Sequence, residues 1–273
     1  MKSKLLTATL MLLISLQLVA QTNPLVGTWQ AVSFVGTDAD GKKITYDDSQ
    51  FVETKIITPS HYALFTQMKQ GDSLVFDKAM TGIVTVEGNK YTETPMYISQ
   101  QQKGGAASFT YKLEGDKFMQ SGSGTDANGK KVSYVITFQK VKAPAQSNPA
   151  IGTWNQLSSK GTSARGEKWQ HDNSTHTRLL VVNPTHFMII AHNNKQFENA
   201  IVGSYKMQGN KMVIDTYTHS KYPGTAQVEL IPHLEGAKMT VDAKATLKDG
   251  KVDTWTDVYE KVNEKTSKTA STK

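Results

Sequence analysis

The sequence predicts an all-β protein made of two tandem antiparallel up-and-down β-barrels of about eight strands each. Three observations lead there. The chain of 273 residues repeats itself once. Its apolar runs are short and alternate with period two, and Gly, Asn and Asp punctuate them where hairpins turn.

The repeat is plainest in one phrase. "NPLVGTW" at 23–29 returns as "NPAIGTW" at 148–154, an offset of 125. At the same offset Ile57-Thr58-Pro59-Ser60-His61-Tyr62 meets Val182-Asn183-Pro184-Thr185-His186-Phe187. After a four-residue deletion the offset becomes 121, so "EGNK" at 87–90 meets "QGNK" at 208–211 and "KLEGDKF" at 112–118 meets "HLEGAKM" at 233–239. A solenoid repeats every 20 to 50 residues or so, whereas each unit here is long enough to bury its own core. The expected organisation is therefore a leader at 1–20, domains at 21–142 and 148–262, a linker at 143–147 and a tail at 263–273.

Within the units, Ser133 to Lys140, Lys211 to His219, and Thr177 to His192 broken at Asn183-Pro184 alternate as strands do. Asp40-Gly41, Gly88-Asn89, Glu114-Gly115-Asp116, Asn128-Gly129 and Asp249-Gly250 supply the left-handed positions that tight turns need. Gly122 and Gly124 precede a strand rather than a helix and read as a flexible turn, not a phosphate loop. A closed barrel leaves no exposed sheet edge, which favours closure over an open sheet.

Lys2 and Lys4 before an uncharged run from Leu5 to Ala20 read as a secretory leader, too short for a comfortable membrane span. The chain has no cysteine, which excludes disulfides, a thiol nucleophile and a lipoprotein anchor. A periplasmic or secreted protein is expected. Of the formal charge of +7, the leader carries +2 and the Lys-rich tail +2, leaving about +3 on the folded part. Those charges are interspersed with acids, and Arg165 and Arg178 are the only arginines, so nucleic acid is not an expected partner.

The segment 25–44 with its Gly-Thr-Trp, together with "ITPSHY" at 57–62, "GNKYTE" at 88–93 and the closing aromatic-x-Lys-Val, resembles a bacterial, Bacteroidetes-type lipocalin-like family. The function of that family is largely unassigned. The resemblance covers nearly all of both units. It implies that Trp29 and Trp154 close one end of each barrel beneath Lys140 and Lys261, where the family tends to carry arginine. A lysine there still makes a cation–π contact worth ~0.5 to 1 kcal/mol.

Candidate ligand-binding residues are those that share a strand face with apolar side chains. His186, Met188, Ile190 and His192 alternate together, matching His61, Ala63, Phe65 and Gln67. His61 and His186 are expected near the barrel mouths; the bland reading is a histidine ordering the strand start after a Pro turn. Tyr91, Glu93, Pro95 and Tyr97 alternate onto one face whose counterparts begin with Met212 and Ile214, so Glu93 points inward if those two do; the competing reading is a wider, wetter mouth or an outward salt bridge. The second unit lacks this carboxylate, and the two interiors are expected to differ. The candidates are thus His61, Phe65, Tyr91, Glu93 and Tyr97 in one barrel and His186, Met188, Ile190, Met212 and Ile214 in the other. Equally, such residues simply build cores.

Six of the seven histidines fall in the second unit, but no His-x-His or His-Glu-x-x-His pair appears. His186 and His192 would stand about 20 Å apart along one strand. His171 and His176 could still meet His219 or His233, yet no metal or other cofactor is expected. Asn173-Ser174-Thr175 matters only in a glycosylating pathway. No nucleophile elbow, phosphate loop or acid–base pair recurs in both units, so catalysis is not expected. The sequence therefore points to an exported binder of a small hydrophobic or amphipathic molecule. An alternative is a structural or protein-interaction module of the cell envelope with filled barrels, and a third reading is an enzyme using the barrel mouth.

Overall fold

The structure is a computed structural model, which describes residues 23–100, 105–125, 130–142, 144, 146–221 and 226–262. The leader and tail predicted at 1–20 and 263–273 lie outside the described residues. Nine strands form each half. The first nine are β1 Gly27–Thr37, β2 Lys43–Asp47, β3 Phe51–Ile57, β4 His61–Gln70, β5 Ser73–Glu87, β6 Lys90–Ile98, β7 Ala107–Glu114, β8 Lys117–Thr125 and β9 Lys131–Lys140. The second nine are β10 Gly152–Thr162, β11 Lys168–Asp172, β12 His176–Val182, β13 His186–Asn193, β14 Gln196–Gln208, β15 Lys211–His219, β16 Gln227–Glu235, β17 Lys238–Thr246 and β18 Val252–Lys261.

Every ladder is antiparallel, and β1–β9 and β10–β18 pairings close the two sheets. Each barrel is eight strands around, because β2 and β3 share one flank of β1. Ser33 to Thr37 pair with β2, and Gly27 to Gln30 pair with β3. The second barrel repeats the arrangement with β10, β11 and β12. Bulges recur as well, at Ala31/Ser33 and Gln156/Ser158 and at Thr66/Gln67 and Ala191/His192. Gly122 and Gly124 do not form a turn but lie inside β8, paired with Tyr134 and Val132. Gly122 lets Tyr134 cross its face, since a Cβ there would lie 2.6 Å from the Tyr134 ring.

The repeated phrase builds a plug. Asn23 and Asn148 side chains accept from the amides of Leu25 and Ala150, making a tight turn before the first strand. The indole of Trp29 donates to the Leu25 carbonyl at 2.7 Å, and that of Trp154 to the Ala150 carbonyl at 2.8 Å. Both tryptophans are fully buried. Lys140 Nζ lies 5.4 Å from the Trp29 ring and Lys261 Nζ 5.6 Å from the Trp154 ring. Gly27 and Gly152 adopt φ of +149° and +139°, and a Cβ at either would press on the lysine stem at 3.1 or 3.3 Å. Only glycine allows the turn and the lysine together.

The barrels also pack against each other. Ile56, Ala63, Phe65 and Ala79 of the first meet Leu179, Val181, Met188, Ile190, Ala200 and Val202 of the second in one buried cluster. Phe76 stacks on its counterpart Phe197 with centroids 5.6 Å apart and planes at 6°. Asn183 Nδ2 donates to Thr28 Oγ1 at 2.7 Å across the seam. Equivalent surfaces therefore face one another, as in a two-fold dimer joined into one chain. The segment predicted as a linker is docked rather than free at Gln146, whose side chain donates to the Tyr205 carbonyl at 2.9 Å.

Candidate functional site

Inside the first barrel the predicted Tyr91 and Glu93 face inward, but into a filled interior. Lys55 Nζ donates to Gln120 Oε1 at 2.7 Å, Glu93 Oε1 at 3.0 Å and Tyr91 Oη at 3.2 Å. The Tyr91 hydroxyl donates to Glu93 at 3.0 Å and contacts Gln120. All four side chains are buried, and burial together with the Glu93 charge pushes the Tyr91 hydroxyl well above its ordinary pKa. A second carboxylate, Glu53, accepts from Thr66 Oγ1 at 2.9 Å. Around this network pack Trp29, Phe51, Phe109, Phe118 and Phe138, with Phe34, Tyr46 and Tyr134 toward the open end. Polar groups buried this way need partners, and these have them.

The second barrel inverts that pattern. Lys55, Tyr91, Glu93 and Gln120 correspond to Leu180, Met212, Ile214 and Val241, which are apolar. Phe34, Tyr46, Phe51 and Phe109 correspond to the smaller Ser159, His171, His176 and Leu230. The lost volume leaves a cavity of about 480 Å³. Its floor is Leu180, Val182, Phe187, Met212, Ile214 and Val241. Met212 and Ile214 thus line it, as Phe187 and Ile189 do.

The polar groups gather toward the end opposite the Trp154 plug. Asp257 accepts from Gln156 Nε2 at 2.9 Å, Trp255 Nε1 at 3.1 Å and the Tyr259 hydroxyl at 3.1 Å. Arg178 Nη1 stands 3.8 Å from Asp257 Oδ2, too far to hydrogen-bond, and Arg178 Nε is buried without a partner. His171 and His219 also line the cavity, and His171 stacks on His176 with centroids 4.4 Å apart. Burial lowers the pKa of both His171 and His219, assisted by His176 and Arg178 for the first and by Lys221 and Arg178 for the second. His233 is elsewhere, beside Asp242. Among the described residues no group of three or more His, Asp or Glu side chains converges to hold a metal ion. Nor, among them, is any helix long and apolar enough to cross a membrane.

Six predicted positions do not point inward. Phe65, Met188 and Ile190 lie on the outer faces of β4 and β13, in the seam between barrels. The expected face of β13 is inverted, because both its faces are apolar and alternation alone does not label them. Tyr97 also turns outward, where its ring lies 5.1 Å from His192. A bulge between Thr81/Gly82 and Pro95/Tyr97 inserts Met96 and breaks the alternation assumed from Tyr91 to Tyr97. His186 shares the outer face with Met188, at the plugged end rather than the mouth, since β12 ends beside Gly152. His61 corresponds to it, beside Ile57 and Gly27, and bonds Ser60 Oγ through Nδ1 at 2.8 Å.

Sequence reasoning missed Arg178, Asp257 and Gln156. The signal was present in the alignment of the two units, which sets Arg178 against Glu53, Asp257 against Ile136 and Gln156 against Ala31. Polar residues at inward positions of one copy alone mark where its interior has diverged.

The fold and the cavity define a class: a tandem two-barrel protein with one filled and one hollow barrel. No family model matches the chain, and no curated protein is similar to it in sequence. Solved structures that it resembles include a protein of unknown function of the DUF3598 family from Nostoc punctiforme. That match has 12% identity, covers 87% of this chain and 96% of the other, and has a TM-score of 0.26. Transferrin binding protein B from Haemophilus parasuis matches at 7% identity, with 89% and 77% covered and a TM-score of 0.28. The same protein from serogroup B Neisseria meningitidis matches at 7%, with 86% and 76% covered and a TM-score of 0.28. Likenesses this loose carry no argument about the present chain, whose fold rests on its own strand pairing.

Proposed function

We propose that this is an exported, lipocalin-like binding protein whose second barrel holds one small hydrophobic or amphipathic molecule. The observation that carries the proposal is the cavity of about 480 Å³, with its apolar floor and few polar groups at one end. Such a volume and lining are those of small-molecule sites, which run from roughly 300 to 1,000 Å³. The leader-like start of the sequence supports export to a periplasm or medium. The first barrel, plugged by its own Lys55–Glu93 network, serves in this reading as the rigid partner on which the hollow barrel is mounted.

The neutral fluorophore N-phenyl-1-naphthylamine tests this. The mature protein should give a saturable one-to-one rise in emission. A variant carrying Ile214→Phe and Val241→Phe, which fills the floor, should abolish it while keeping the β-sheet circular dichroism. Emission that never saturates, or that survives the filled variant, would remove the second barrel as the site.

A further inference from the structure

We propose that the polar end of the second barrel's cavity is a carboxylate site in which Arg178 receives the headgroup of an amphipathic monocarboxylate whose apolar chain occupies the floor. This deepens the reading above and rests on it.

Arg178 lacks an acceptor at one of its buried donors. Its guanidinium carries five N–H donors in a planar fork. The adjacent anion, Asp257, already accepts three hydrogen bonds from neutral donors, and it stays 3.8 Å from the guanidinium. Asp257 therefore balances the charge of Arg178 without a close hydrogen bond to it, and the guanidinium meets the Tyr259 hydroxyl, which leaves part of its fork unused. Nε remains buried with no acceptor. An unmade hydrogen bond at a buried donor costs about 1 to 3 kcal/mol, more for a charged group. Its counterpart in the first barrel is Glu53, which accepts from the Thr66 hydroxyl, so the arginine is peculiar to the hollow barrel.

The surroundings suit a bidentate acceptor. A carboxylate matches the guanidinium fork, and the match is stronger in an enclosed, apolar setting. Glu198 also acts on Arg178 electrostatically, and Asp253, elsewhere in the cavity lining, accepts from the amide of Ala164 through Oδ1. His171 and His219 flank the space as well. Leu180, Met212, Ile214 and Val241 offer a chain no polar partner at all. One end binds an acceptor and the other an apolar tail.

Displacement of N-phenyl-1-naphthylamine by decanoate and by decanol at pH 7.5 tests the proposal. Decanoate should displace the probe from the wild type at roughly tenfold lower concentration than decanol. In Arg178→Met the decanoate advantage over decanol should vanish, each displacement being read against the probe's own affinity for that variant. Equal displacement by acid and alcohol in the wild type would overturn the carboxylate site and leave the cavity reading intact, and it requires no variant to fold. A decanoate preference that persists in Arg178→Met would also overturn it. Failure of the probe to bind the wild type at all would sink both readings.

Discussion

At the scale of the residue, the two halves solve the same problem in opposite ways. A barrel interior can be filled or left hollow, and four positions decide which. In the first barrel, Lys55 and Glu93 form an ion pair at 3.0 Å with almost no solvent exposure. Removing one partner from such a pair strands the other charge, at a cost of about 3 to 5 kcal/mol, whereas replacing both by apolar residues is close to neutral. The second barrel already displays the apolar pair, Leu180 and Ile214, at the same places. Lys55→Leu alone should therefore destabilise the protein by about 3 kcal/mol or more, and Lys55→Leu with Glu93→Ile by much less than the sum of the singles. Urea unfolding of the two singles and the double gives the coupling; strict additivity would mean that the pair acts as two independent groups.

At the scale of the element, the first strand of each barrel is set by its opening turn and its bulge. The turn places Trp29 and Trp154 under Lys140 and Lys261, and the glycine between them is held at positive φ. Gly152→Ala should lower stability by about 1 to 3 kcal/mol, because alanine both resists that backbone conformation and crowds the Lys261 stem. Scanning calorimetry should show the loss, with Gly27→Ala behaving alike. A neutral outcome at both would show that the plug relaxes freely. Alternation puts Glu93 on the face that corresponds to Met212 and Ile214 without saying whether that face is inside, and the structure turns it inward. Tyr97 does not follow it, because the extra residue Met96 shifts the alternation, and no local sequence feature marks it.

At the scale of the whole molecule, the docking of the barrels gives the protein a dependence on acid. His61 and His192 are buried on outer strand faces, and His192 Nε2 lies 3.1 Å from the Ile98 carbonyl of the other barrel. Burial lowers the pKa of His61 from 6.5 to about 4, and also lowers those of His186 and His192. The unfolded chain therefore takes up protons that the folded protein refuses. Stability from this source is complete above pH 6.5 and falls as the pH drops toward 4, by at most roughly 3 kcal/mol for His61. Urea midpoints measured from pH 7 to pH 4.5 should fall, and His61→Gln should flatten the decline. A decline of the same steepness in the variant would assign the acid sensitivity to other groups.

The sequence by itself determined the two units, their β character, the tryptophan phrase repeated in each, and the carboxylate at position 93 that only one of them has. These follow from periodicity and from comparing one half of the chain with the other, while the role of the tryptophans as plugs is what the family resemblance implies. Only the tertiary structure decided that Phe65, Met188 and Ile190 belong to a seam between barrels and that Arg178 faces a hollow. Alternation divides a strand into two faces without saying which one is inside. In Leu179 to Val182 and Phe187 to Ala191 both faces are apolar, as befits strands covered on both sides, and contacts with residues far away in the chain choose between them.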